Sequence, residues 1–301
     1  MIDFRPIELS DKALFDKALA GNTIASCDYS FATIICWRDY FSTQVAEVEG
    51  FVACRFTDND GLPSYSPPFG QGNKRAVIEA LVADARERGD QFRIGAATRE
   101  LFAELDACMN STLRVEFQRD QYEYIYRRES LATLSGAHLQ AKRNHVNKFH
   151  RTYPDFSVRK IDESCIDDCK QLYIKWLSQI SNRDADLSEL HSEQISVGYA
   201  LDHFAELGLM GVTLWTDNEM IAFAYGEMLT ADTFLTHAEK ALTDFDGSYA
   251  MINQLTAKML ADNVLYINRE EDMGLDYLRR SKMSYHPAFL LEKGRIYLLE
   301  K

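Results

Sequence analysis

Thr236-His237-Ala238-Glu239-Lys240 ends one predicted strand, and Asp246-Gly247-Ser248-Tyr249-Ala250 begins the helix predicted to follow it. This strand, glycine turn and helix decide the fold of the final third of the chain. The free N–H groups of a helix start can hold phosphate, glycine lets a ligand approach the backbone, and Ser248 can cap the helix. The stretch indicates a transferase with a phosphate-bearing donor and leaves the acceptor open. An ordinary capped helix is the alternative.

The end of the same strand offers acid–base chemistry. Strict alternation places His237 and Glu239 on one side of the strand, and Ala238 and Lys240 on the other. A histidine beside a carboxylate can act as a base toward an amine or hydroxyl acceptor, with the carboxylate orienting the ring. A structural ion pair at a strand end is the alternative, and the sequence leaves both open.

A run of acids follows the next predicted strand. Residues 268–272 read Asn-Arg-Glu-Glu-Asp, and we expect Glu270 and Asp272 to join His237 and Glu239 in binding a cationic amine. A solvated run of charges is the alternative. No metal site is predicted, because the Cys, His and carboxylate residues lack the spacing of a metal-binding cluster.

Basic residues on two predicted helices can hold an anion. Arg279 and Lys282 are three residues apart, so a helix places them side by side to bind phosphate or carboxylate. Arg143 lies on the basic face of a middle helix predicted over residues 135–153. Pairing of these cations with acidic groups elsewhere is the alternative. The middle helix also carries an apolar stripe of Leu139, Val146, Phe149 and Tyr153.

Composition limits the choice of partners. The formal net charge of −13 repels nucleic acid unless a local basic patch overrides it. Residues 138–160 form such a patch, so binding of tRNA is possible although nucleic acid is otherwise an unlikely partner. Six cysteines in 301 residues do not make a disulfide scaffold.

The apolar runs are short, such as Phe31 to Trp37, and fall below the ~20 residues that a membrane-spanning helix needs. The N-terminus lacks the layout of a signal peptide. We therefore expect a soluble cytoplasmic protein with no membrane span.

The two halves of the chain share one order of elements. Each half has a helix, antiparallel strands, a loop with glycine, a second helix and a further strand, so residues 45–96 and 211–268 can be overlaid in element type. We predict a mixed α/β fold of two tandem domains with largely antiparallel sheets, at residues 1–130 and 156–301. A basic helix at 131–155 connects them.

Local patterns add detail to this architecture. Strands at 113–118 and 122–127 are predicted to form a hairpin, as are strands at 211–215 and 220–229. An amphipathic helix is predicted from Lys74 to Arg88, ending at glycine. Ser10 is a plausible N-cap for the first helix.

A set of motifs resembles an uncharacterised bacterial family that is related to the catalytic domain of phosphatidylglycerol lysyltransferases. The set spans most of the chain and consists of Arg143-Asn144-His145-x-Asn147-Lys148-Phe149, His237-x-Glu239-Lys240, Gly247-Ser248-Tyr249, Asn268-Arg269-Glu270-Glu271-Asp272-x-Gly274, Arg279-x-Ser281-Lys282 and Tyr285-His286-Pro287. This resemblance implies a tandem pair of acyl-CoA N-acyltransferase-like (GNAT-like, Fem-like) domains. Characterised relatives move an aminoacyl group from charged tRNA to a lipid head group.

Three functions remain open on the sequence. The first is an acyltransferase that uses acyl-CoA as donor and a small-molecule amine as acceptor, with the pyrophosphate of coenzyme A on Gly247 to Ala250. The second is an aminoacyl-tRNA-dependent transferase, which needs no separate cofactor. The third is a non-catalytic tandem domain that binds a small anionic ligand or a protein partner.

Overall fold

The computed structural model describes residues 1–180 and 187–299. In chain order, the strands and α-helices of these residues are β1 Arg5–Pro6, α1 Lys12–Ala18, α2 Phe31–Cys36, α3 Arg38–Phe41, β2 Gln44–Val48, β3 Phe51–Thr57, β4 Pro63–Tyr65, α4 Lys74–Arg88, β5 Arg93–Thr98, α5 Arg99–Cys108, β6 Leu113–Phe117, β7 Glu123–Arg127, α6 Arg128–Thr133, α7 Gln140–Thr152, β8 Ser157–Lys160, α8 Ile166–Ile180, α9 Leu187–Asp202, β9 Met210–Thr216, β10 Glu219–Met228, β11 Thr233–Ala241, α10 Ser248–Met259, β12 Tyr266–Asn268, α11 Asp276–Met283, β13 Phe289–Leu291 and β14 Lys293–Leu298.

The strands form two seven-stranded mixed sheets. The first has the order β1-β2-β3-β4-β5-β14-β6, and the second has the order β13-β7-β12-β11-β10-β9-β8. Most neighbouring strands are antiparallel; β4 with β5 and β11 with β12 are parallel pairs. The predicted class, mixed α/β with two largely antiparallel sheets, is confirmed.

The predicted hairpin of residues 113–118 and 122–127 is wrong. Both segments are strands, but β6 lies in the first sheet beside β14, whereas β7 lies in the second sheet beside β12. The last strand of the chain thus completes the first sheet, and a strand from the first half joins the second. Alternation of apolar residues predicts a strand and its buried face, but carries no information about which strand pairs with it.

Each half contains the same crossover. In the first, β2, β3 and β4 are antiparallel neighbours, and α4 leads to β5 parallel to β4. In the second, β9, β10 and β11 are antiparallel neighbours, and α10 leads to β12 parallel to β11. A parallel neighbour requires a crossover, which a helix supplies.

The predicted end of α4 is confirmed, whereas the predicted N-cap of α1 is not. The helix α4 has the predicted bounds, and Gly89 ends it in the left-handed conformation with φ of 79°. The N-cap prediction for Ser10 is wrong, because a short 3₁₀ turn precedes α1 and Asp11 is its N-cap.

The described residues divide into two compact units. Unit 1 comprises 1–123, 271–274 and 291–301, and unit 2 comprises 124–270 and 275–290. Each unit has its own apolar core. The apolar stripe predicted for α7 lies in the core of unit 2, where Leu139 and Phe149 are fully buried. No helix of the described residues has the length and apolar character to cross a membrane.

Candidate active site

A gap opens in the sheet of unit 2 between β11 and β12. The two strands pair over only three residues each, with Leu235 opposite Asn268 as the last pair. Beyond this point β11 continues to Ala241, whereas β12 ends. Polar residues that follow Leu235 and Asn268 therefore stand at a break in the sheet, where backbone pairing no longer fills the space.

A β-bulge shifts the register of β11 at the start of this gap. Gly226 of β10 pairs with Thr236, and Tyr225 pairs with Ala238, so His237 is an extra residue without an opposite partner on β10. Such a residue interrupts the regular alternation of side chains along a strand.

The bulge places the two polar residues of β11 on opposite faces of the sheet. His237 lies beside Tyr225, whose ring contacts Phe204 just after α9. Glu239 instead accepts a hydrogen bond from Asn253 of α10. The prediction that His237 and Glu239 share a face is wrong, because it assumed unbroken alternation. Glu227, and not Glu239, is the strand carboxylate beside the ring.

His237 is held between two carboxylates of unit 2. Its Nε2 lies 3.1 Å from an oxygen of Glu227, and its Nδ1 lies 3.2 Å from an oxygen of Glu270. Burial lowers the pKa of His237, but the hydrogen bonds that the ring donates to both carboxylates outweigh this and raise it to about 9. At neutral pH the ring is therefore protonated. The three groups together carry a net charge of about −1.

A side-chain turn directs Glu270 toward the histidine. The side-chain oxygen of the fully buried Asn268 accepts a hydrogen bond of 2.8 Å from the backbone N–H of Glu270. Glu270 has the left-handed conformation with φ of 56°. Asparagine side chains often stabilise such turns. Backbone hydrogen bonds between Tyr124 and residues 269 and 270 continue the pairing with β7. The left-handed conformation of Glu270 separates its side chain from that of Arg269.

An ion pair closes the other face of the gap. Arg269 donates from Nη2 to Glu239 at 2.9 Å, and Asn253 donates to the second oxygen of the same carboxylate at 3.1 Å. Both ion-pair side chains are about nine-tenths buried. The pair therefore connects β11 to the end of β12 where the backbones have separated.

The predicted acidic run is divided between the two units. Glu270 belongs to unit 2, whereas Asp272 belongs to unit 1 and is fully buried there. Asp272 pairs with Arg119 at 3.0 Å. Its role in binding an amine stays a prediction, although the salt bridge already balances its charge.

The basic residues predicted to hold an anion have internal partners. Lys282 donates to the backbone oxygen of Arg269 at 2.6 Å, and so anchors the end of β12. Arg143 donates to backbone oxygens of the segment before α7, including that of Gly136 at 3.1 Å. Arg279 lies on α11, as the spacing predicts, and is half-buried.

The start of α10 does not suit the pyrophosphate of coenzyme A. Gly247 is the N-cap, with φ of 88° and no side-chain cap. A Cβ placed there would lie 2.7 Å from the backbone oxygen of His145 and 3.2 Å from Phe149, so α7 packs directly against this turn. Asp246 beside it is paired with Lys148. A phosphate at this position would meet a carbonyl oxygen and a carboxylate.

The next three residues also face inward or make internal contacts. Ser248 does not cap the helix, and its buried hydroxyl donates to the backbone oxygen of Leu242 at 3.0 Å. The hydroxyl of Tyr249 accepts a hydrogen bond from the indole of Trp176 at 2.6 Å. Ala250 is buried in the core of unit 2. Coenzyme A binding by these residues stays a prediction.

One cluster of described residues, in unit 1, has donor atoms close enough for a metal ion. Ligand atoms of Cys27, Glu123 and Glu271 lie within 4.8 Å of one another. The ammonium of Lys293 lies 2.7 Å from Glu123 and 3.7 Å from the sulfur of Cys27. A cation of the chain thus balances these acids, and burial raises the pKa of the Cys27 thiol. These residues do not fit a metal, which would need the thiolate.

Comparison with known proteins defines the class of this protein. The family model for the C-terminal part of phosphatidylglycerol lysyltransferase matches residues 23–297. This match supports an acyl- or aminoacyltransferase family. The chain belongs to the phosphatidylglycerol lysyltransferase C-terminal family.

Several solved structures are similar over nearly the whole chain. A conserved protein of unknown function from Bacteroides thetaiotaomicron is 34% identical, with a TM-score of 0.92 over 99% of this chain and 100% of that one. L-PGS from Bacillus licheniformis is 15% identical, with a TM-score of 0.67 over 100% of this chain and 95% of that one. The second likeness shows the fold alone.

A relative known from its sequence is an uncharacterised protein of Mycoplasmoides gallisepticum. It is 26% identical over 174 residues, which make up 56% of this chain and 54% of that protein. The chain thus spans about half the length of the curated relative it matches.

Sequence reasoning missed Glu227 and Asn253 at the candidate site. Glu227 pairs with Leu235, two residues before the histidine, and the bulge that brings it to the ring leaves no clear mark in the sequence. Asn253 is a polar residue within the apolar face of α10, where it is almost fully buried. A buried amide needs hydrogen-bond partners, so its position was the available signal.

Proposed function

We propose that this protein is an aminoacyltransferase and that the acidic cluster of unit 2, formed by His237, Glu227 and Glu270, binds the ammonium group of the aminoacyl donor. The observation that carries the proposal is the pair of carboxylates around one protonated ring. Glu270 offers a carboxylate beside the ring to which an added cation can bind. Every aminoacyl ester offers such a cation, whereas a simple acyl thioester does not.

Ammonium binding also prepares His237 for proton transfer. An added cation beside Glu227 and Glu270 takes over part of their interaction with the ring, so the pKa of His237 falls from about 9 toward neutrality. The neutral ring then accepts the proton of the attacking acceptor group and returns a proton to the departing oxygen of the donor. The histidine thus becomes a base only when the donor is present.

The family match favours aminoacyl-tRNA as the donor, and the packing of α7 against Gly247 argues against coenzyme A at that turn. A basic face on α7 supports tRNA binding by unit 2, since Arg151 and His150 are exposed there. Transfer from acyl-CoA to an amine is the second candidate. It is favoured by one observation: α10 begins at a glycine without a side-chain cap.

Transfer of label from a donor tests the proposal. The full chain is mixed with tRNA charged with radiolabelled amino acids, or with labelled acetyl-CoA, and with a protein-free extract of small molecules. We expect label to leave the charged tRNA, and Glu270→Gln to slow this at least tenfold because one carboxylate of the acidic cluster is lost. Glu219→Gln is the matched control, since Glu219 pairs with Lys175 at the surface. Label that leaves only acetyl-CoA would refute the proposal.

A further inference from the structure

Two buried polar atoms on the α10 face of the gap have no hydrogen-bond partner among the described residues. They are Nη1 of Arg269, a donor, and the side-chain oxygen of Asn253, an acceptor. Asn253 is 98% buried, its relative exposure being 2%. Both residues already use their other groups to bind Glu239, so their free atoms lie on either side of one carboxylate. Buried polar atoms are normally paired, and an orphan pair at a break in a sheet needs an explanation.

The charge on this face is positive. Arg269 and Lys142 are two cations beside the single carboxylate of Glu239. Burial lowers the pKa of Lys142, the guanidinium of Arg269 lowers it further, and Glu239 opposes both. No carboxylate of the described residues lies within salt-bridge distance of the Lys142 ammonium. The group therefore suits one additional monoanion, which would also stabilise the charged form of Lys142.

Aromatic rings limit the shape of that anion. The guanidinium carbon of Arg269 lies 5.6 Å from the ring centre of Tyr126 and 5.1 Å from that of Tyr285. The ammonium of Lys142 lies 4.1 Å from the ring centre of Tyr285. With rings beside it, Arg269 offers its edge, which matches a planar carboxylate. A phosphodiester is tetrahedral and carries two ester arms, so it fits this slot less well.

We infer that Arg269, Lys142 and Asn253 form a carboxylate subsite for the acceptor, which is therefore a small carboxylic acid with an adjacent O–H or N–H group. The carboxylate takes the free Nη1 of Arg269 and the ammonium of Lys142, and the neighbouring O–H or N–H donates to the free oxygen of Asn253. This inference rests on the proposed function, because that function supplies the donor. α-Hydroxy and α-amino acids, or their N-acyl derivatives, have the required groups.

The two faces of the gap then have different tasks. The acidic cluster lies on the face of Tyr225, and the carboxylate subsite lies on the face of α10. Arg269 and Glu270 are consecutive residues, so the two subsites are separated by little more than the thickness of one strand. A cationic donor and an anionic acceptor can therefore meet through the gap without sharing a binding group. Opposite charges on the two subsites also prevent each substrate from occupying the other position.

The subsite is tested by binding, without turnover. The probe is N-acetylglycine, which has a carboxylate and an adjacent N–H group but no ammonium, and the side-chain amide signal of Asn253 is followed by NMR in the full chain. We expect Lys142→Met to weaken binding about tenfold, near 1.4 kcal/mol, and Lys142→Arg to retain it. Methionine keeps much of the apolar contact with Tyr285, so the fold should persist. Lys258→Met, an exposed change on α10, is the control for net charge and should leave affinity within twofold.

Three results would overturn the inference. These are an unchanged Asn253 signal in the wild-type protein, equal affinity in Lys142→Met and Lys258→Met, and tighter binding of dimethyl phosphate than of N-acetylglycine. Failure of the proposed function is recognised separately. The proposed function is tested with methylammonium, which has no carboxylate. The measured quantity is the pKa of His237, which lies on the opposite face of the gap.

Discussion

β4, α4 and β5 of unit 1 form the same crossover as β11, α10 and β12 of unit 2, but the two differ in what lies beside the parallel strands. In unit 1 the side chain of Asn73 caps α4 by accepting a hydrogen bond from the N–H of Ala76, and apolar residues such as Ile94 and Ala97 fill the core. In unit 2 the helix starts at Gly247 without a cap, and the buried Glu239–Arg269 pair bridges the strand ends.

This difference separates the side chains that stabilise the crossover from those that serve ligand binding. The first crossover also buries charged side chains, but they have partners. Asp84 of α4 accepts hydrogen bonds from Tyr65 and Arg88. The three nitrogens of the buried Arg93 guanidinium on β5 donate to Ser64, Asp60 and Asp58.

Burial of an ion pair is costly, and replacing such a pair with apolar residues is often neutral or stabilising. In the second crossover, Nη1 of Arg269 and the side-chain oxygen of Asn253 have no partner among the described residues. Ligand binding explains these two groups, and changes in the two crossovers should therefore have different consequences.

The largest effect is expected from breaking the buried pair. Glu239→Gln leaves Arg269 charged and without its carboxylate, which should lower the free energy of unfolding by about 3–5 kcal/mol. The matched change in unit 1 is Tyr65→Phe, which removes a hydrogen bond to Asp84 and should cost about 1 kcal/mol. Urea unfolding measures both, and equal losses would contradict the contrast.

Removing both charges should restore stability but not function. In the double variant Glu239→Leu with Arg269→Met, the fully buried guanidinium is removed together with its carboxylate, so most of the stability lost in Glu239→Gln should return. Binding of N-acetylglycine should not return. A double variant as unstable as the single one would show that the pair is a structural requirement of this crossover.

The next effect is a loss of stability at alkaline pH. The pKa of His237 is raised from 6.5 to about 9 in the folded protein, so its contribution is complete below pH 6.5 and is lost as the pH rises through 9. The loss should be on the order of 3 kcal/mol. All seven histidines lie in unit 2, so unit 1 supplies no histidine to this range.

His237→Gln should flatten the stability profile between pH 6.5 and 9. Glutamine keeps a polar side chain in the acidic cluster but has no titrating group in this range. Chemical unfolding at several pH values measures the profile. An equally steep decline of the free energy of unfolding in the variant would assign the pH dependence to other groups. It would also contradict the raised pKa of His237 in the acidic cluster.

A smaller effect separates backbone strain from packing at the two helix ends. Gly247→Ala and Gly89→Ala impose alanine on similar left-handed conformations, with φ of 88° and 79°. The space beside Gly89 is open, whereas a Cβ at Gly247 meets the backbone of α7. Gly89→Ala should cost about 1 kcal/mol, and Gly247→Ala should cost about 1–3 kcal/mol more. Equal losses in the free energy of unfolding would show that α7 can move away from this turn. A phosphate could then bind there.

Much of the fold could be predicted because it depends on local signals. Alternation, amphipathic periodicity and glycine stops located α4, the β9–β10 hairpin and the repeated crossover. The exchange of β7 and β14 between sheets could not be predicted, since it depends on pairing across almost the whole chain. The residues of the acidic cluster were partly found, because His237 and Glu270 stand at strand ends. Their partner Glu227 was missed because the bulge that brings it to the ring leaves no clear mark in the sequence.

Titration of His237 tests the central claim most directly. The pKa of its ring is measured by NMR with and without saturating methylammonium, an amine that stays charged well above pH 9. The account predicts a pKa near 9 for the free protein, which falls by at least one unit when methylammonium binds, and a smaller change in Glu270→Gln. A pKa near 6.5 in the free protein, or a value that methylammonium leaves unchanged, would contradict the claim that this cluster binds the ammonium of the donor.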